Sequence, residues 1–101
     1  MTLEPNTLES IEAAAFQRLI AHLQTQTEVQ NIDLMILADF CRNCLSKWMV
    51  SAAEEQGVGL DYDQAREHVY GMPYGEWKKL HQQPASPEQL AAMKARTNAR
   101  D

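Results

Sequence analysis

The distribution of glycine and proline is the feature that most restricts how this chain can fold. Neither residue occurs between Pro5 and Gly57, although the chain has four of each. Glycine and proline are the residues that most disfavour a helix interior, so this long interval is free to form extended helices. No segment has the alternating pattern that is typical of a half-buried strand. The sequence therefore predicts an all-α protein.

Two helices are predicted within this interval. Apolar residues recur at three- and four-residue spacing over about Thr7–Thr25, which indicates one amphipathic helix. The second and longer helix is predicted over Asn31–Gln56, with Asn31 as its N-cap and Gly57 after its last turn. Its predicted core face consists of Leu34, Leu37, Ala38, Cys41, Leu45, Trp48 and Ala52.

Three shorter helices are predicted in the second half of the chain. Asp61–Gln64 and Ser86–Gln89 each have the pattern of a capping box, in which two residues satisfy each other's backbone amides at a helix start. Gly71 should end the helix that follows Asp61, because glycine readily takes a left-handed conformation. Pro73 then suits the first turn of the next helix.

The length of 101 residues predicts a single domain, residues 1–101. We expect a compact bundle of four to five helices around the central Asn31–Gln56 helix. The polar residues at about 95–101 are expected to form a frayed tail. A domain of this size has a marginal core, and dimerisation is a common way to bury more apolar surface.

The net charge of −5 disfavours a nucleic-acid partner, because such binding depends on lysine and arginine neutralising phosphates. The N-terminus lacks the basic and apolar regions of a signal peptide, and no segment approaches the ~20 apolar residues of a membrane span. We therefore expect no membrane association and a cytoplasmic location. Cysteines in that compartment are thiols, ligands or redox groups rather than structural disulfides.

Cys41 and Cys44 are the first candidate functional residues. Three residues apart on a helix, their sulfurs could share a metal ion or form a disulfide. The predicted mid-helix position argues against redox chemistry, which favours a helix N-terminus, and no second cysteine pair completes a zinc site. Packed structural thiols are the favoured interpretation, and a metal ion is the one candidate cofactor.

A second candidate site is polar and aromatic. Arg42 and Lys47 could hold an anion, while aromatic residues beside the Gly71–Pro73 turn could form the wall of a pocket. Ordinary charge pairs and helix packing explain the same residues and are favoured. The candidate ligand or partner surface comprises Arg42, Asn43, Lys47, Tyr70, Met72 and Tyr74.

Ile32, Ile36 and Phe40 form an apolar strip on the mostly polar side of the central helix. Another helix of the same chain would cover this strip in the simplest arrangement. The alternative is a self-association surface, because exposed apolar patches often mark partners. The strip therefore marks a candidate homodimer interface.

Three segments, Gln30–Asp33, Phe40–Trp48 and Val69–Tyr74, carry a resemblance that extends over nearly the whole chain. In these segments the sequence resembles a small proteobacterial family catalogued as domain of unknown function 1244. The resemblance implies a bacterial protein with an all-helical fold, in a family without an established activity. It supplies no catalytic residues.

The leading hypothesis is a non-enzymatic interaction or regulatory module that acts as a homodimer. The first alternative is a metal-binding or thiol-redox protein that uses Cys41 and Cys44. The second is a small-molecule enzyme with a site near Arg42, Lys47 and Tyr70–Trp77. The sequence identifies no ligand and no other partner.

Overall fold

The computed structural model describes residues 2–100; Met1, the side chain of Arg100 and Asp101, the last residue of the predicted tail, lie outside the described residues. The described part of the chain contains helices and no strand, so the prediction of an all-α protein is confirmed. The six helices are α1 (Pro5–Gln24), α2 (Asn31–Ala38), α3 (Arg42–Glu55), α4 (Tyr62–Tyr70), α5 (Tyr74–His81) and α6 (Pro87–Arg100).

The prediction of one central helix over Asn31–Gln56 is wrong, because the chain breaks between α2 and α3. Asp39 ends α2 in the left-handed conformation, with φ of 59°, and its N–H donates to the carbonyl of Met35. Cys41 is extended and is the N-cap of α3. Aspartate is one of the few residues other than glycine that adopt a left-handed backbone, so the break needs no glycine. This break gives six helices in place of four to five.

The break also changes which residues form the core. Leu37 and Trp48, predicted to be core residues, are 77% and 58% exposed. Arg42 and Ser46 are instead buried, at 2% and 0% exposure. The predicted core face assumed one uninterrupted helix. It does not match the structure, because α3 starts with its own orientation after the break at Asp39.

The predicted capping boxes are confirmed. The Gln64 N–H donates to Asp61 Oδ1 at 2.7 Å, and the Asp61 N–H donates to Gln64 Oε1 at 3.0 Å. Ser86 and Gln89 make the same reciprocal pair at 3.0 and 2.8 Å. Gly71 ends α4 with φ of 77°, as predicted.

Helix α4 contacts more of the fold than any other described helix, since it packs against α1, α3 and α5, while α2 packs against α6. Ala65, Val69 and Tyr70 of α4 are all almost fully buried. Asp33 of α2 accepts a hydrogen bond from Gln89 of α6 at 2.7 Å. The buried cluster around α4 consists of Ile20, Leu23, Leu34, Cys41, Leu45, Val69, Tyr70 and Trp77.

Candidate functional site

A buried arginine organises the polar centre of the molecule. Arg42 Nη1 donates to the carbonyl of Val29 at 2.8 Å and to Asn31 Oδ1 at 3.1 Å, while Nη2 donates to the carbonyl of Gln26 at 2.9 Å. Burial lowers the pKa of Arg42 below its ordinary value, although an arginine remains charged in proteins. The guanidinium thus holds the turn between α1 and α2 in place.

A chain of hydrogen bonds runs from this arginine through α2 and α4 and returns to α3 at Asn43. Asn31 Nδ2 donates to the Tyr70 hydroxyl at 3.0 Å, and that hydroxyl donates to Asn43 Oδ1 at 2.7 Å. Burial raises the pKa of Tyr70, so the hydroxyl keeps its proton at any physiological pH. Asn31, predicted as an N-cap, is instead the first residue of α2, and Gln30 holds the N-cap position.

Aromatic rings surround this chain of hydrogen bonds. The Trp77 ring packs edge-on against Tyr70 with centroids 4.9 Å apart, and the Arg42 guanidinium lies 4.9 Å from the Trp77 centroid. The ring centroids of Tyr74 and Tyr70 are 5.2 Å apart. These contacts fix the aromatic side chains that border the adjoining cleft.

A cleft of about 340 Å³ lies next to this network, between the N-terminal ends of α2 and α3 and the segment after α5. This volume is in the range of small-molecule sites. No charged side chain lines it. Its walls are formed by Gln30, Asn31, Ile32, Asn43, Tyr74, Trp77, Gln82, Gln83, Pro84 and Ala85.

Gln30 joins the two sides of the cleft. Its Nε2 donates to the carbonyl of His81 at 3.0 Å, and its Oε1 accepts from the Gln83 N–H at 2.8 Å. These two hydrogen bonds tie the start of α2 to the end of α5, and the Gln30 side chain that makes them is buried. The cleft is thus held by hydrogen bonds on both sides.

The two cysteines lie at the start of α3 and are free thiols. Their sulfurs are 3.8 Å apart; Cys41 is buried, and Cys44 is partly exposed. Burial raises the pKa of Cys41, and hydrogen bonds from the backbone of Cys44 and Asn43 act in the opposite direction. The predicted mid-helix position is wrong, because the break at Asp39 makes Cys41 an N-cap.

Residues 2–100 contain no group of three or more histidine, cysteine, aspartate or glutamate side chains that could hold a metal ion. Cys41 and Cys44 therefore have no third ligand of these types within the described part of one chain. A metal site on this pair would need further ligands from outside the described part of this chain.

The six residues of the predicted ligand surface occupy different environments. Asn43 and Tyr74 line the cleft, whereas Arg42 and Tyr70 lie buried behind it. Met72 packs partly buried against the core. Lys47 is exposed on α3, with its ammonium 5.9 Å from the ring centroid of Tyr62. Part of the predicted surface therefore borders one cleft, and Lys47 is not among the cleft-lining residues.

The predicted dimer strip is neither fully buried nor fully exposed. Ile32, Ile36 and Phe40 each keep an intermediate exposure. Ile32 lines the cleft, and Phe40 stacks on Trp48 with ring centroids 6.4 Å apart. The strip thus extends from the cleft at one end to the exposed tryptophan of α3 at the other.

The fold and site define a class: a small all-helical protein with a buried arginine network, a helix-terminal thiol pair and an uncharged cleft. The chain belongs to the family described as protein of unknown function DUF1244, whose model matches residues 29–95. That range contains the whole cleft and both cysteines, and it leaves α1 outside. No curated protein matches the sequence. Within the described residues, no helix is long and apolar enough to cross a membrane.

Sequence reasoning missed several residues of this site. Asn31 was assigned only to capping, and Gln82 and Gln83 were assigned no role, since surface amides carry no distinctive spacing. Trp77, in contrast, belongs to the predicted site segment Tyr70–Trp77. The Gln30 bridge joins residues more than 50 positions apart, which a local pattern does not register.

Proposed function

We propose that this protein is a non-enzymatic interaction module that acts as a homodimer in the bacterial cytoplasm. The observation that carries the proposal is the amount of surface that one chain leaves uncovered. The chain exposes 7189 Å². A compact monomer of this mass exposes about 5,800 Å², so roughly 1,400 Å² is in excess. A standard protein interface buries about 800 Å² on each partner, which this excess readily supplies.

The shape of the chain agrees with this excess. Its radius of gyration is 15.8 Å, and its longest dimension is 48 Å. A compact domain of 100 residues has a radius of gyration of about 13 Å. Most of α1 is exposed, and of its side chains only Ile20 and Leu23 near its end are buried. Much of α1 therefore has no cover within its own chain.

The exposed apolar surface is concentrated where α1 meets α3. Leu8, Ile11 and Leu19 of α1 are 42%, 51% and 38% exposed. Two other α1 residues, Ala13 and Phe16, line an apolar groove of about 520 Å³ against α3. We call this combined surface the α1–α3 face; its groove is lined by Ala13, Phe16, Trp48, Met49, Ala52, Ala53, Gln56 and Val58.

The charge of this groove is compatible with a second copy of the same chain as its occupant. Two copies with a net charge of −5 each repel one another, and this repulsion is smaller where the surfaces in contact carry no acid. None of the groove residues is charged. In a two-fold dimer, the protruding apolar stripe of one α1 can cover the groove of its partner, and the same contact occurs twice.

The predicted strip of Ile32, Ile36 and Phe40 adjoins this interface. Phe40 stacks on Trp48, which lines the α1–α3 groove. The proposed dimer contact therefore includes the Phe40 end of the strip. Any factor that shifts the equilibrium between monomer and dimer would then regulate the interactions of the protein.

The test is the mass of the protein in solution, measured by light scattering after size exclusion. We expect a dimer for the wild type and a folded monomer for Trp48→Asp, because a carboxylate at this exposed position would be buried unpaired in the dimer. The matched control is Leu80→Asp on α5, since Leu80 is 66% exposed and lies outside the face. A wild-type monomer at high micromolar concentration would contradict the proposal, as would a Trp48→Asp dimer.

A second candidate function is thiol–disulfide exchange by Cys41 and Cys44. The observation that favours it is the N-cap position of Cys41, since redox-active Cys-x-x-Cys pairs occupy helix N-termini. Cys44 as thiolate would attack an external disulfide and release one thiol. Cys41 would then attack Cys44 Sγ and release the second, so that two protein thiols are oxidised while one disulfide is reduced.

This candidate predicts that oxidised glutathione converts the pair into an internal disulfide. Mass spectrometry after alkylation should show both thiols protected and two hydrogens lost, and Cys44→Ser should leave Cys41 unable to form the internal bond. Two thiols that remain fully alkylatable would rule out the exchange. Metal analysis of protein purified without chelator separates the remaining alternative, because a stoichiometric metal ion would favour a metal site shared between chains.

A further inference from the structure

The direction of the buried hydrogen-bond chain is fixed by its first member. An arginine has donors and no acceptor, so Asn31 must turn its Oδ1 toward Arg42. Asn31 Nδ2 then faces Tyr70 and occupies an acceptor site on the hydroxyl. The hydroxyl donates its one proton onward to Asn43 Oδ1 at 2.7 Å. The orientation of Asn31 follows from the chemistry of arginine, which has no acceptor.

The end of this chain faces the cleft. With its oxygen engaged by Tyr70, the Asn43 amide has its two N–H donors left, and they have no hydrogen-bond partner among the described residues. Each donor in a polarised chain strengthens the next one. The positive charge of Arg42 therefore polarises the whole chain of hydrogen bonds. The Asn43 Nδ2–H group, which faces the cleft, becomes a stronger donor as a result.

A second amide has the same orientation. The Tyr74 hydroxyl donates to Gln82 Oε1 at 3.3 Å, which leaves Gln82 Nε2 as a donor at the same cleft. The cleft is therefore rich in donors. The ring of Tyr74 gives it a planar, apolar wall.

We infer that the cleft binds a small planar ligand through a carbonyl-type oxygen, of an amide or a carboxylate, which accepts from Asn43 Nδ2 and Gln82 Nε2. The planar body of the ligand would lie against Tyr74. A ligand that offers donors alone is rejected, because it would leave these amide donors desolvated and unpaired. The cleft volume of about 340 Å³ suits a ligand of one or two rings.

The test is a titration of the ¹⁵N-labelled full chain, followed by NMR, with benzamide, benzoate and benzylamine as probes. We expect benzamide or benzoate to shift the side-chain amide of Asn43 and the indole N–H of Trp77 saturably, at millimolar concentrations. Tighter binding of benzamide would indicate a neutral ligand, and tighter binding of benzoate would indicate an anionic one. Benzylamine carries donors only and should leave these resonances unchanged.

Two variants locate the binding. Asn43→Asp keeps an oxygen for Tyr70 and replaces the free donor by an acceptor, so benzamide should bind about tenfold more weakly or worse. Gln82→Glu, at an exposed position, removes the second donor without disturbing the fold. The matched control is Asn98→Asp on the exposed side of α6, which makes the same change of charge.

Three results would overturn the inference. The first is the absence of any shift at Asn43 or Trp77 with benzamide and benzoate. The second is binding of benzylamine as tight as that of benzamide. The third is wild-type affinity for benzamide in both Asn43→Asp and Gln82→Glu.

Discussion

Replacing Arg42 by alanine should lower the free energy of unfolding by about 3–5 kcal/mol, a large part of the 5–15 kcal/mol of a typical domain. The substitution removes the side-chain donors to three part-buried acceptors, the carbonyls of Gln26 and Val29 and Asn31 Oδ1. The Val29 carbonyl loses its partner, while the Gln26 carbonyl keeps the Val29 N–H and Asn31 Oδ1 keeps the backbone N–H of residue 42. It also removes the guanidinium from its position over Trp77. Urea unfolding followed by circular dichroism, at one fixed protein concentration, measures the change.

Arg42→Lys is expected to recover little of this loss. An ammonium group has no planar fork and cannot reach three acceptors at the positions that the guanidinium holds. Arg18→Ala, at an exposed position of α1, serves as control and should change the stability by less than about 0.5 kcal/mol. Equal stability of Arg42→Ala and Arg18→Ala would show that the buried network does not hold the fold together.

Replacing each of the two tryptophans by alanine should lower the free energy of unfolding by very different amounts. Trp77 is 2% exposed and packs on Tyr70, so Trp77→Ala should cost about 3–5 kcal/mol. Trp48 is 58% exposed, and its loss should cost the monomer less than about 1 kcal/mol. The same urea experiment tests both variants, at protein concentrations low enough to avoid dimers.

The tryptophan comparison also separates stability from association. Trp48→Ala should weaken the dimer while leaving the monomer folded, because Trp48 lines the α1–α3 face. A strongly destabilised Trp48→Ala monomer would place this residue in the core, as the periodicity of the sequence predicted. The double variant Arg42→Ala/Trp77→Ala should lose less than the sum of the two single losses, because these side chains contact each other.

The starts of α4 and α6 could be predicted from the sequence, because capping is a local interaction. Asp61–Gln64 and Ser86–Gln89 make the bonds that their spacing indicates. The break at Asp39 was not predicted, since an aspartate in the left-handed conformation has no local sequence signal like that of glycine. The error in the core face of the central region follows directly from this one residue.

The candidate site was only partly predictable for a similar reason. Asn43 and Tyr74 were identified because they belong to motifs with unusual composition. Arg42 was expected to make ordinary charge pairs, whereas its partners in the turn before α2 are backbone carbonyls, which every sequence contains. Neither its burial nor the direction of its hydrogen-bond chain can be inferred before the turn is placed against α3.

The contacts of α4 have a consequence for the order in which the chain can fold. Helices α1 and α3 both pack on α4, which ends at Tyr70. During synthesis, the first 60 residues therefore emerge without the helix that completes their core, although the bonds from Arg42 to Gln26 and Val29 are already available. We expect the nascent chain to hold a preformed turn with uncovered apolar faces, and to fold cooperatively once Val69 and Tyr70 are present.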